Sequence, residues 1–197
     1  MKSYVKNQIT ASYETKQKIL ADEKLVELIA EVAQKCVDLY RNDKKTLLAG
    51  NGGSAADAQH IAAELVGRYG FDRPSISSIA LTTDTSNLTA IGNDYGYDKV
   101  FSRQLEGVGS EGDLFIGIST SGNSQNIVNA FESAASKGIT TVALVGRDGG
   151  KMAQMADYAL IVPSNDTPRI QESHILIGHI LCDIIEKELF ADGVGEA

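Results

Sequence analysis

Ser119-Thr120-Ser121-Gly122-Asn123-Ser124 places four hydroxyls and a glycine between an apolar run and a helix-like pattern (Ile127, Val128, Ala130, Phe131, Ala134, Ala135). At such a junction the free amides of a helix start and the hydroxyls gather around one point, an arrangement that suits a phosphate. Taken alone, the same residues serve about equally well as an ordinary Ser-rich turn with a helix cap. A second loop, Gly50-Asn51-Gly52-Gly53-Ser54, also follows an apolar run and precedes a helix, which shifts the balance toward an anion site. On that following helix His60 and Glu64 lie four residues apart and share one face. An imidazole beside a carboxylate can move protons or hold a metal. Without further context the pair reads as a surface helix contact worth a few tenths of a kcal/mol.

The elements that carry these loops follow from hydrophobic spacing. The first forty residues place Ile19, Leu20, Leu25, Leu28, Ile29, Val32, Ala33, Cys36, Val37 and Tyr40 at helical intervals without an interrupting glycine or proline, which predicts an amphipathic helical hairpin or one long bent helix. From Thr46 onward, short apolar runs at 46–49, 76–81, 114–118, 140–145 and 158–162 alternate with helix-like stretches. Such runs are what strands buried on both faces of a parallel sheet require. The reading is a doubly wound α/β fold with five parallel strands, an N-terminal helical hairpin and a long C-terminal helix. In such folds ligands sit outside the carboxyl ends of the strands, where both loops fall. The last helix is expected to take Thr167 as its cap and Pro168 as its first residue, and to run to about Leu189. Its apolar residues cover so much of its circumference that, with the N-terminal helices, it suggests a helical oligomer core.

Composition narrows the function classes. The chain has 197 residues, enough for one domain with a substantial core, and is read as a single domain spanning 1–197 with residues 1–43 used in oligomerisation. Eighteen Lys plus Arg against 26 Asp plus Glu leave a net charge of -8, which disfavours nucleic acid and anionic lipid as partners. One phosphate remains compatible, because hydroxyls and helix amides hold it without lysine. Cys36 and Cys182 show no framework spacing and read as free thiols. The opening MKSYVKNQIT lacks the apolar stretch of a signal peptide, and the run 174–185 is broken by polar residues, so a cytoplasmic protein that does not enter a membrane is expected.

The two loops together resemble the sugar isomerase (SIS) family of phosphosugar-binding domains, which has a flavodoxin-like sheet. The set formed by 49–54, 60–68, Gly92-Asn93-Asp94, Phe101-Ser102-Arg103, 117–124, 148–152 and Arg169-Ile170-Gln171-Glu172-Ser173-His174 resembles, in order and spacing, the phosphoheptose isomerase branch of that family. The resemblance implies a homotetramer with active sites near subunit interfaces. It also implies interconversion of D-sedoheptulose 7-phosphate and D-glycero-D-manno-heptose 7-phosphate through an enediol, the first step of nucleotide-activated heptose synthesis for lipopolysaccharide or related glycans.

By the same resemblance Glu64 is the carbon base and His179 the partner acid–base. His60, Glu64, Gln171 and His179 are implied ligands of a zinc ion. Asn51, Gly52, Gly53, Ser54, Arg68, Asn93, Asp94 and Gln171 are implied sugar contacts, and Ser119, Thr120, Ser121 and Ser124 the phosphate contacts. Gln171 and His179 are eight residues apart, about 12 Å along an ideal helix and roughly 80° around it, so they converge only at full reach or across subunits. His174 points away from His179 and reads as structural. Where some heptose isomerases carry an aspartate before Arg-Ile-Gln, this chain has Pro168, with Asp166 two residues earlier. A rival resemblance, to the DnaA initiator-associating proteins of the same fold, is carried by 80–85, 88–91 and 181–183. That branch binds a protein and is expected to lack the carboxylate and final histidine that stand here as Glu64 and His179.

Overall fold

The apolar runs become five strands, β1 (Thr46–Gly50), β2 (Ser78–Ala80), β3 (Leu114–Ser119), β4 (Thr140–Gly146) and β5 (Tyr158–Val162), in a computed structural model that describes residues 1–191. All pairings are parallel and the order is β2-β1-β3-β4-β5. The chain therefore winds outward from β1 to β2, returns across β1 to β3, and continues outward on the other side. The reversal falls between β1 and β3, whose last residues are in register, Gly50 opposite Ile118. This is the crevice where a doubly wound sheet leaves room for a ligand.

Eight α-helices flank the sheet: α1 (Lys2–Ala21), α2 (Glu23–Arg41), α3 (Gly53–Val66), α4 (Thr85–Tyr95), α5 (Val100–Val108), α6 (Gln125–Ser136), α7 (Gly150–Met155) and α8 (Thr167–Phe190). Side chains alternate across each strand, and both faces are covered. Leu48, Ile116, Ile118, Val142 and Leu144 pack with Val32, Cys36, Ile61, Ile177 and Leu181 of α2, α3 and α8. On the other face Leu47, Phe115, Ala143 and Val145 pack with Phe101, Leu105, Ile127 and Phe131 of α5 and α6.

Three expectations shift in detail. The N-terminal segment is a hairpin, broken at Asp22, whose carboxylate accepts the Leu25 amide at 3.1 Å and caps α2. The run 76–81 shortens to three residues of strand, because β2 is an edge with pairing partners on one side only. The cap of α8 is Asp166 rather than Thr167, which lies inside the helix with Pro168 in its first turn. Cys36 and Cys182 are buried free thiols, each pushed up to about 12 by burial, which removes their nucleophilicity at neutral pH. Among the described residues no helix is long and apolar enough to cross a membrane.

Candidate active site

The loop after β3 is held from beneath. Gly122 adopts φ +65°, and a Cβ there would collide with the carbonyl of Gly149 in the loop after β4. The Met152 amide donates to the Gly122 carbonyl at 3.0 Å and the Lys151 amide to Asn123 Oδ1 at 3.1 Å. With its base knitted in this way, the rim is left to Thr120, Ser121 and Ser124, all half-buried, while Ser119 is buried. Ser124 stands at the N-cap of α6, yet its hydroxyl does not cap the helix; it pairs with the Ser119 hydroxyl at 3.0 Å. The helix-start amides therefore stay available to an anion.

Across the crevice, Asn51 exchanges two amide hydrogen bonds with Asn126, each 2.9 Å, so the loop after β1 is tied to the first turn of α6. Tyr97 donates to Asn51 Oδ1 at 3.3 Å. Gly52 is the N-cap of α3, and Ser54 is buried in its first turn. Asn93 and Asp94 lie exposed near the end of α4, joined to each other by a 2.8 Å hydrogen bond.

Helices α3 and α8 run side by side in the same direction, with Gln171 against Gly53 and Gly178 against Ile61. This alignment brings His60, Glu64 and His179 together. His60 Nε2 lies 3.0 Å from Glu64 Oε1 and 3.5 Å from His179 Nε2, and the two rings meet edge to face at 4.9 Å. One ligand atom from each of the three lies within 4.8 Å of the others. Two imidazole nitrogens and a carboxylate oxygen converging in this way call for a shared proton or a cation. The donor set is one that zinc accepts, with a position left over. Gln171 stands apart: its amide Nε2 comes within 2.7 Å of where a Gly53 Cβ would be, about two helical turns from His60.

Four residues escaped the reading of the sequence. Asp57 lies one turn before His60 on α3, with a buried oxygen lacking a partner, and burial raises its carboxyl to about 6 against the opposing pull of His60. Tyr69 sets its ring 5.7 Å from that of His179. Arg73 and Glu186 form a buried pair at 3.0 Å. Arg73 donates to the carbonyls of Glu64 and Leu65 at the end of α3, at 2.9 and 2.7 Å, while Arg68 is exposed. Half-buried Asp57 and buried Glu186 carried no local signal, because their surroundings come from distant segments.

The SIS domain family model matches residues 11–146. The phosphoheptose isomerase of Sulfurimonas denitrificans is 77% identical over 194 residues, spanning 98% of this chain and all of its own. That of Aneurinibacillus thermoaerophilus is 61% identical, spanning 96% of each. The chain belongs to the phosphoheptose isomerase family. The solved phosphoheptose isomerase of Neisseria gonorrhoeae superposes with a TM-score of 0.88 at 47% identity, over 94% of this chain and 98% of that one. As a phosphoheptose isomerase the chain is an enzyme of the aldose–ketose isomerase type. The crevice with its hydroxyl loop and the histidine–carboxylate group on α3 and α8 form the candidate active site.

Proposed function

We propose that this phosphoheptose isomerase converts D-sedoheptulose 7-phosphate to D-glycero-D-manno-heptose 7-phosphate at the crevice between β1 and β3, with Glu64 and His179 as its acid–base pair. The observation that carries this reading is the convergence of Glu64, His60 and His179 at one end of the paired helices. A seven-carbon sugar phosphate has its phosphate and its reacting carbons at opposite ends. His60 and Glu64 stand about two and three turns along α3 from the loop after β1.

Ser119, Thr120, Ser121, Ser124 and the first amides of α6 hold the phosphate. Asn51, Gly52, Gly53, Ser54, Asn93, Asp94, Arg68 and Gln171 orient the sugar chain. Glu64 takes a proton from the carbon beside the carbonyl and returns it to the neighbouring carbon. His179 passes a proton between the two oxygens of the enediol, so the reaction is balanced without an oxidant. His60, in contact with both, holds them in line. Zinc held by His60, Glu64 and His179 would polarise the sugar oxygens; Gln171, about two helical turns from His60, lies outside this group within one chain.

The enzyme is read as a cytoplasmic homotetramer. Support comes from an apolar groove between the hairpin and α8, which includes Ile19, Leu20, Ile29, Leu176, Ile180 and Ile184, and from Tyr4, Val5, Ile9 and Tyr13 exposed on α1. Ile180 lies beside His179, so covering the groove brings a neighbouring subunit close to the acid–base pair. Free buried thiols are in keeping with a reducing compartment.

The test is isomerisation in deuterated water. Metal-replete enzyme should place deuterium on the carbon next to the carbonyl, and Glu64→Gln should abolish both exchange and turnover. Full activity in Glu64→Gln, or no exchange in the metal-replete protein, overturns the reading.

A further inference from the structure

The buried pair Arg73 and Glu186 meets both helices that carry the acid–base group. Glu186 is seven residues beyond His179 on α8, almost the same direction around the helix. Its Oε1 accepts from the Tyr69 amide at 2.8 Å and from Arg73 Nε at 3.0 Å, and its Oε2 accepts from the amides of Gly70 and Phe71. Burial alone would raise this carboxyl, but the amides and the guanidinium outweigh it and hold the group below its usual value, so it stays ionised. Arg73 in turn donates through Nη2 to the carbonyl of Glu64 and through Nη1 to those of Leu65 and Gly67. One ion pair thus grips α8, the last turn of α3 at Glu64, and the turn that follows. Through the Tyr69 amide it also anchors the backbone that carries the Tyr69 ring, which flanks the His179 ring on a contact separate from that of His60.

A buried ion pair is seldom worth more than apolar packing of the same volume. What it adds is direction: seven hydrogen bonds of fixed geometry permit one rotation and one height of α8 against α3, whereas an apolar contact tolerates sliding. We propose that Arg73 and Glu186 form a positioning clamp that sets Glu64 and His179 in register for proton transfer, with Tyr69 as the wall that fixes the His179 ring. The inference rests on the reading of Glu64 and His179 as the acid–base pair. Neither clamp residue touches substrate. Their action is on the separation and orientation of the groups that do, where misplacement by about 1 Å can cost on the order of 100-fold in rate.

The experiment compares Arg73→Lys, Tyr69→Leu and Tyr69→Phe with the parent full-length enzyme, with kcat, KM and thermal unfolding measured on each and rates expressed per folded protein. Tyr69→Leu and Arg73→Lys should each lower kcat by about 10- to 100-fold with KM changed by less than about threefold, since the phosphate loop is untouched. Tyr69→Phe, which keeps the ring, should restore the parent kcat. The double variant Arg73→Lys with Tyr69→Leu should fall little below the lower single variant, because both act through His179. Parent-like kcat per folded protein in Arg73→Lys or in Tyr69→Leu overturns the proposal, as does loss in Tyr69→Phe equal to that in Tyr69→Leu. If Arg73→Lys does not fold, the two Tyr69 variants decide alone. Glu64→Gln, run alongside, separates the two failures: activity in that variant sinks the acid–base reading, while its inactivity beside fully active Tyr69→Leu sinks only the clamp.

Discussion

Asp57 and His174 are titratable groups whose environments pull them in opposite directions, and each yields a pH signature. Asp57 is raised to about 6, first by burial, with His60 acting against it. The folded protein therefore binds this proton more tightly than the unfolded chain does, and holding the ionised form costs stability as pH rises from about 4 toward 6. Replacing Asp57 with Asn should stabilise metal-free protein at pH 7.5 by about 1–2 kcal/mol, the full shift being discounted for partial exposure. The gain should shrink toward pH 4, and calorimetry in chelator on both proteins across that range measures it. His174 is buried and lowered to about 4, first by burial, with the Val145 backbone acting in the other sense. Here the unfolded chain binds the proton more tightly. Its contribution is intact above about pH 6.5 and disappears as pH falls to about 4, amounting to on the order of 3 kcal/mol. Urea unfolding of the parent and His174→Leu should show a shallower acid loss in the variant; equal slopes would remove His174 from the account.

At the scale of elements, the phosphate loop is only as rigid as its neighbour. The loops after β3 and β4 meet at Gly122 and Gly149, with backbone and Asn123 hydrogen bonds between them. Gly122→Ala imposes both a positive-φ cost and a clash with a carbonyl. We expect KM for the phosphorylated sugar to rise about tenfold or more while unfolding free energy falls by about 1–3 kcal/mol, measured by steady-state kinetics and denaturation. Raised KM without a comparable fall in kcat separates this loop from the acid–base group. The strand–loop–helix order around both glycine-rich turns was readable from the chain, since two-face burial leaves continuous apolar runs. The length of β2 was not, because an edge strand stops where its one neighbour stops pairing, and that neighbour is β1, 32 residues earlier by the Thr46–Ser78 register. The cap of α8 moved by one residue because Asp and Thr both serve at helix starts.

For the whole molecule, the groove between the hairpin and α8 leads to a prediction about assembly. Ile180→Glu or Leu20→Asp places a charge on this apolar surface and should yield a smaller species by sedimentation, with at least a tenfold loss of turnover if neighbouring subunits complete the site. Unchanged mass in both variants would move the interface elsewhere. The sequence alone determined the parallel α/β class, the two loops at the strand ends, the His60–Glu64 face and the compatibility of an acidic chain with one phosphate. Each of these is encoded in neighbours a few residues apart, through helical or strand periodicity and turn chemistry. The family resemblance implied that His179 joins His60 and Glu64, but only the tertiary structure decided the contact between them and that Gln171 sits against Gly53 instead. It also revealed the Arg73–Glu186 pair that binds α3 to α8. These depend on the height and rotation of α8, set by contacts more than 100 residues apart in the chain, such as His60 with His179, and no local pattern carries that information.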